Sequence, residues 1–93
     1  MNINEQHFAN FDMNLIVVFM LLYRERSVSR AAKLLRVGQP AVSGSLVRLR
    51  RQFEDPLFTR CGRGVSPTER AEEIVAQLMP ALSTIEAILC SKS

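Results

Sequence analysis

The sequence predicts a mainly α-helical domain: a core of three short helices, a small two-stranded hairpin and a long final helix. Three observations carry that expectation. Two helical stretches meet at a tight turn within Ser27–Phe53. Pro56, Gly62, Gly64 and Pro67 punctuate the stretch that follows and exclude a long helix there. From Ala71 onward, apolar residues recur at alternating spacings of four and three. A chain of 93 residues makes one domain, or a core with one projecting element. Its 47% hydrophobic content is that of a folded chain rather than a disordered tail.

Residues 1–11 are polar and read as a flexible tail, in which His7 has no partner suggesting metal or catalysis. Asp12 or Asn14 can cap the first helix, which runs to about Arg26. That helix is apolar on most sides and should be buried on more than one face. Ser27 or Ser29 caps the second, in which Ala31, Ala32, Leu34 and Leu35 allow close approach of a partner helix. Gly38 supplies the positive φ or the cap geometry that a sharp turn needs. Gln39-Pro40 then opens the third helix, because proline is tolerated in a first turn, where its missing N–H costs nothing.

The third helix has two faces. Val42, Leu46, Leu49 and Phe53 recur at spacings of four, three and four, a buried stripe. Gln39, Pro40, Ser43, Val47 and Arg50 are expected on the other side. Two short helices around a tight turn, the second rich in arginine, is the plan of a helix-turn-helix DNA reader. Gln39 can pair with an adenine edge, Ser43 can bond a base or phosphate, and Val47 can touch a thymine methyl. Ser29, Arg30, Lys33, Arg48, Arg50 and Arg51 suit phosphate contacts. An amphipathic helix with a solvated basic side is the plainer alternative, and the charge distribution weighs against it. Arg24–Arg70 holds eleven Lys/Arg against four Asp/Glu, a local +7, whereas the remainder of the chain carries −4. Basic charge is concentrated where phosphate attraction needs it.

Leu57–Arg60 and Val65–Ser66 can pair as a small wing around Cys61–Gly64. Arg60 and Arg63 then sit at or near its tip, where arginine can enter a narrow minor groove. For Arg60 the alternative is a salt bridge to Glu54 or Asp55. Thr68 is an expected N-cap, with Glu69, Glu72 and Glu73 favouring the positive end of the helix dipole. Ala71, Val75, Leu78, Leu82, Ile85 and Leu89 form a heptad seam, read as a dimer contact from Val75 onward, with Ile74, Met79 and Ile88 broadening it. Pro80 removes one backbone bond and should kink that helix near Ala76.

DMNLIVVF at 12–19, SVSRAAKLL with VGQPAVSGSLVRLR, and DPLFTRCGRGVSPT occur in the order and spacing of the N-terminal domain of LysR-type transcriptional regulators, which the chain resembles from Asp12 onward. The ending Pro67, Thr68, Arg70, Ala71 is similar to the branch with LeuO- and NodD-like members. The resemblance implies a winged helix-turn-helix at 12–67 and a linker helix at 68–93 that pairs two copies on promoter inverted repeats. Two positions depart from the family pattern. Gly38 stands where a Ser or Thr hydroxyl is usual, and Gly44 where many members carry a long polar side chain. Both bear on sequence preference. Full-length members carry a C-terminal effector-binding domain; the sequence stops after Ser91-Lys92-Ser93. The expectation is an isolated DNA-binding portion that responds to no small molecule.

Other classes fit less well. An enzyme lacks support: one histidine, no Gly-rich phosphate loop, no metal constellation and no nucleophile beside a base. No cofactor is expected. A protein-interaction module built on the heptad helix would bind with little salt dependence. The apolar run Leu15–Tyr23 is too short to span a bilayer, so no membrane partner is expected and the localisation is read as cytoplasmic. Cys61 and Cys90 lack metal-like spacing and read as free thiols, although Arg60 and Arg63 beside Cys61 leave a redox role conceivable.

Overall fold

Residues 1–91 are described by a computed structural model. The last two positions expected in the linker helix, Lys92 and Ser93, lie outside them. Five helices and one hairpin follow in the order α1 (Gln6–Ala9), α2 (Asn14–Glu25), α3 (Val28–Leu35), α4 (Gln39–Phe53), β1 (Phe58–Cys61), β2 (Gly64–Pro67) and α5 (Glu69–Cys90). The mainly α expectation with a two-stranded wing is what the chain adopts. Residues 1–11 differ from a featureless tail. Asn4 Oδ1 accepts the Gln6 N–H, starting the single turn of α1, and Phe11 packs half-buried against the core.

One apolar core gathers every main element. Leu15, Val18, Phe19 and Leu22 of α2 meet Ala31 and Ala32 of α3 and Val42, Leu46 and Leu49 of α4. Leu57 and Phe58 close it from the wing, and Ala71 and Val75 from α5. The rings of Phe19 and Phe58 lie tilted with centroids 5.4 Å apart, a favoured aromatic geometry. Ala31 and Ala32 carry only a methyl each, which lets α3 lie close to its neighbours.

Start signals fall where small polar residues stand. Ser27 Oγ accepts the Arg30 N–H and Thr68 Oγ1 the Ala71 N–H, capping α3 and α5. At α2 the Asp12 carboxylate bonds the N–H of Asn14 from just outside the helix. The stops carry no glycine. Arg26, Arg36 and Glu54 end α2, α3 and α4 in the left-handed conformation, with φ of 57°, 59° and 51°.

The strands pair antiparallel in the register Phe58↔Pro67, Thr59↔Ser66, Arg60↔Val65 and Cys61↔Gly64. A two-residue loop remains, and Gly62 at its first position has φ +59°, as primed hairpin turns require. Gly64 serves another purpose. A Cβ there would overlap the carbonyl oxygen of Arg26, which accepts the Val65 N–H at 3.0 Å. The tip end of the wing is thereby seated on the α2–α3 joint.

α5 divides into two parts. Ala71 and Val75 are buried in the domain's own core and Leu78 is packed against it, so Val75 is not available to a partner as the heptad reading expected. Beyond that point Leu82 is half-buried, whereas Ile85 and Leu89 are 45% and 78% exposed. The helix continues past Pro80, and Thr84 Oγ1 donates to the Pro80 carbonyl. By length and composition α5 is apolar enough to cross a membrane, a feature absent from the sequence reading. With Val75 anchored in the core, Ala76–Cys90 at about 1.5 Å per residue extends roughly 22 Å, short of a ~30 Å hydrocarbon layer.

Candidate nucleic-acid interface

The turn between α3 and α4 is made by backbone rather than by glycine. The Arg36 N–H donates to the Lys33 carbonyl and the Val37 N–H to the Ala32 carbonyl, the paired bonds of a Schellman stop. Gly38 has φ −78° and ψ 158° and is the N-cap of α4. Of the two geometries open to Gly38, it adopts the cap, and the positive φ falls on Arg36.

α4 buries Val42, Leu46 and Leu49, with Phe53 half-buried beside them. Gln39, Pro40, Ser43 and Val47 are exposed, Val47 by 49%. A shallow cleft is lined by Ser27, Ser29, Gln39, Arg60 and Arg63. The start of α3, the first residue of α4 and the wing tip thus share one side of the molecule, although up to 36 residues separate them in sequence.

The expected cations differ in what already holds them. Arg30 Nε lies 3.2 Å from Glu25 Oε1, and Arg24 Nε is 2.7 Å from Glu25 Oε2. The hydrogen bond from Arg24, reinforced by the nearby Arg30 charge, holds the Glu25 carboxyl below its ordinary range. Arg48 Nη1 stands 3.7 Å from Asp12 Oδ2. Lys33, Arg51, Arg60 and Arg63 make no ion pair among the described residues, and neither does Arg36, which sequence reasoning passed over. Arg60 therefore does not take the alternative pairing with Glu54 or Asp55. Instead, Asp55 Oδ2 accepts both the Leu57 N–H and the Thr68 hydroxyl, each at 2.8 Å.

Arg50 departs from its expected place. Its Nε donates to the Pro56 carbonyl at 2.8 Å and Nη2 to the Phe58 carbonyl at 2.9 Å. The side chain is turned along the domain toward the wing, so it belongs to the wing's support rather than to the outward set. At 100° per residue Arg50 is only 40° from Leu46 on the helix circumference, so a position at the edge of the buried stripe was legible in the spacing.

A second surface is apolar. Between α2 and the distal half of α5 runs a groove lined by Met20, Leu21, Met79, Leu82, Ile85 and Leu89. Tyr23 and Glu72 bridge the same two helices nearer the core, Oη to Oε1 at 2.6 Å, and that hydrogen bond raises the Tyr23 phenol above its usual range.

Three core helices with a hairpin seated on their joint define a winged helix-turn-helix protein. Residues 13–72 match the family model described as bacterial regulatory helix-turn-helix protein, lysR family. The chain belongs to that family and forms a helix-turn-helix DNA-binding domain of it. It is 41% identical over 75 residues to the HTH-type transcriptional regulator LeuO of Escherichia coli strain K12, covering 81% of this chain and 24% of LeuO. A probable transcriptional regulator from Pseudomonas aeruginosa superposes with a TM-score of 0.81 at 40% identity, over 88% of this chain and 28% of that one. The DNA-binding domain of BenM, solved in complex with the benA site 1 DNA, shares the fold at a TM-score of 0.76 and 22% identity, over 85% of this chain and 92% of that one. The chain thus spans about a quarter of the length of full relatives such as LeuO.

Proposed function

We propose that this domain binds double-stranded DNA as a homodimer and reads an inverted repeat at a promoter. The observation that carries the reading is the gathering of Ser29, Gln39, Arg60 and Arg63 on one exposed side, with α4 presenting Ser43 and Val47 beside them. In this reading α4 enters the major groove, where Gln39, Pro40, Ser43 and Val47 meet base edges. Ser29, Arg30, Lys33, Arg48 and Arg51 set register on phosphates, and Arg63, with Arg60 beside it, reaches the minor groove. Arg30 and Arg48 exchange their carboxylate partners for phosphate on binding. Leu82, Ile85 and Leu89 supply the dimer contact, covering the groove against α2 with a second copy. The domain acts by binding rather than by catalysis, in the cytoplasm.

The deciding experiment is a titration onto a duplex with an interrupted inverted repeat, beside a scrambled duplex, at low and moderate salt. Salt-sensitive binding of two copies per duplex with preference for the repeat supports the reading. Absence of binding at low salt overturns it and points the basic side toward a protein partner.

A further inference from the structure

We infer that Arg50 is a positioning residue that ties the recognition helix to the wing, an assignment resting on the DNA-binding reading above. The observation is the two-carbonyl bridge. Nε and Nη2 of one guanidinium reach the Pro56 and Phe58 carbonyls, which flank Leu57 on either side. Leu57 is fully buried at φ +63°, a conformation that disfavours any residue with a Cβ. The chain reverses there to enter β1, and the bridge holds both ends of that reversal.

The planar fork of arginine suits the task. Two N–H donors in fixed geometry can span two carbonyls, whereas a lysine ammonium acts from one point. The second strand is held independently by the Val65 N–H on the Arg26 carbonyl. With β1 tied to α4 and β2 tied to the α2–α3 joint, the Gly62–Arg63 tip has a fixed direction relative to Gln39 and Ser43. Arg50 thus sets the offset between major-groove and minor-groove readers without touching DNA.

The test is a double-mutant cycle on the full chain with the preferred duplex. Arg50→Lys keeps the charge and loses the fork. It should weaken binding by roughly tenfold, about as much as Arg63→Ala, and the double variant should bind no worse than Arg63→Ala alone. Parent-like binding by Arg50→Lys would show that charge suffices, and additive losses would show that the two act separately. Either overturns the inference. Amide hydrogen exchange of the free protein provides the arm that does not depend on DNA. Arg50→Lys should speed exchange at 58–67 while α2 remains protected. Unchanged exchange in the wing, or faster exchange throughout, removes the positioning role even if the parent proves not to bind DNA.

Discussion

Gln39 and Arg51 illustrate how a reader differs from an anchor. A side chain that pairs with a base edge discriminates, so Gln39→Ala is expected to relax preference at one base pair and cost about 1–3 kcal/mol. Equal weakening on every sequence would remove it from the base-reading set. Arg51 has no carboxylate partner among the described residues. Arg51→Ala should weaken all duplexes alike and lower the salt slope by about one unit, read from binding at several salt concentrations. Glu54 sits exposed at φ 51° with only a backbone cap bond. Glycine there removes the Cβ penalty, so chemical denaturation of Glu54→Gly should show stability raised by up to about 1 kcal/mol. Glu25 supplies a pH test. Its carboxyl is held low by Arg24 and Arg30, so the pairing stabilises above the ordinary carboxylate range and is lost as pH falls through the depressed value. Glu25→Gln should flatten that part of the acid limb in thermal melts between pH 5 and pH 2, and an unchanged limb would assign the acid sensitivity elsewhere.

Elements whose signals are local were legible in sequence, and those fixed by distant contacts were not. The stripe Val42–Leu46–Leu49 and the caps Ser27 and Thr68 follow from spacing and chemistry within one turn. The wing's place in the chain was legible from Pro56, Gly62 and Gly64, and its direction was not. That direction depends on Gly64 lying against the Arg26 carbonyl, 38 positions away, and on Asp55 joining the wing's entry to the cap of α5. The left-handed stops on Arg36 and Glu54 were not legible, because such caps on residues other than glycine have no compositional mark. Val75 was given to a partner because a heptad seam does not say whose core it faces. Gly64→Ala is the sharpest test at this scale. The added methyl must push β2 off Arg26, so wing amides should lose exchange protection and stability should fall by about 1–3 kcal/mol, with α2 and α4 retaining their helical signal. Wild-type protection in the wing would show that the joint yields freely.

The whole molecule is elongated because α5 leaves it. The radius of gyration is 14.2 Å, against about 12 Å for a compact chain of this length. An exposed apolar arm of this kind calls for cover, and Ile85→Glu with Leu89→Glu should abolish dimers in sedimentation while leaving the melting of the rooted core nearly unchanged. A dimer that survives both changes would move the contact to another face. Pro80 leaves the arm one backbone bond short, although the helix runs on through it. Without its N–H, the Ala76 carbonyl has no partner one turn on, and the Thr84 hydroxyl leans on the Pro80 carbonyl in the same stretch. A fully bonded helix transmits misalignment, whereas one that lacks a bond bends more readily. In the proposed dimer, two reading heads on such arms would follow half-sites whose separation differs by a base pair at little elastic cost. Pro80→Ala should narrow the spacings that a library of repeats yields, trading tolerance for a single preferred gauge.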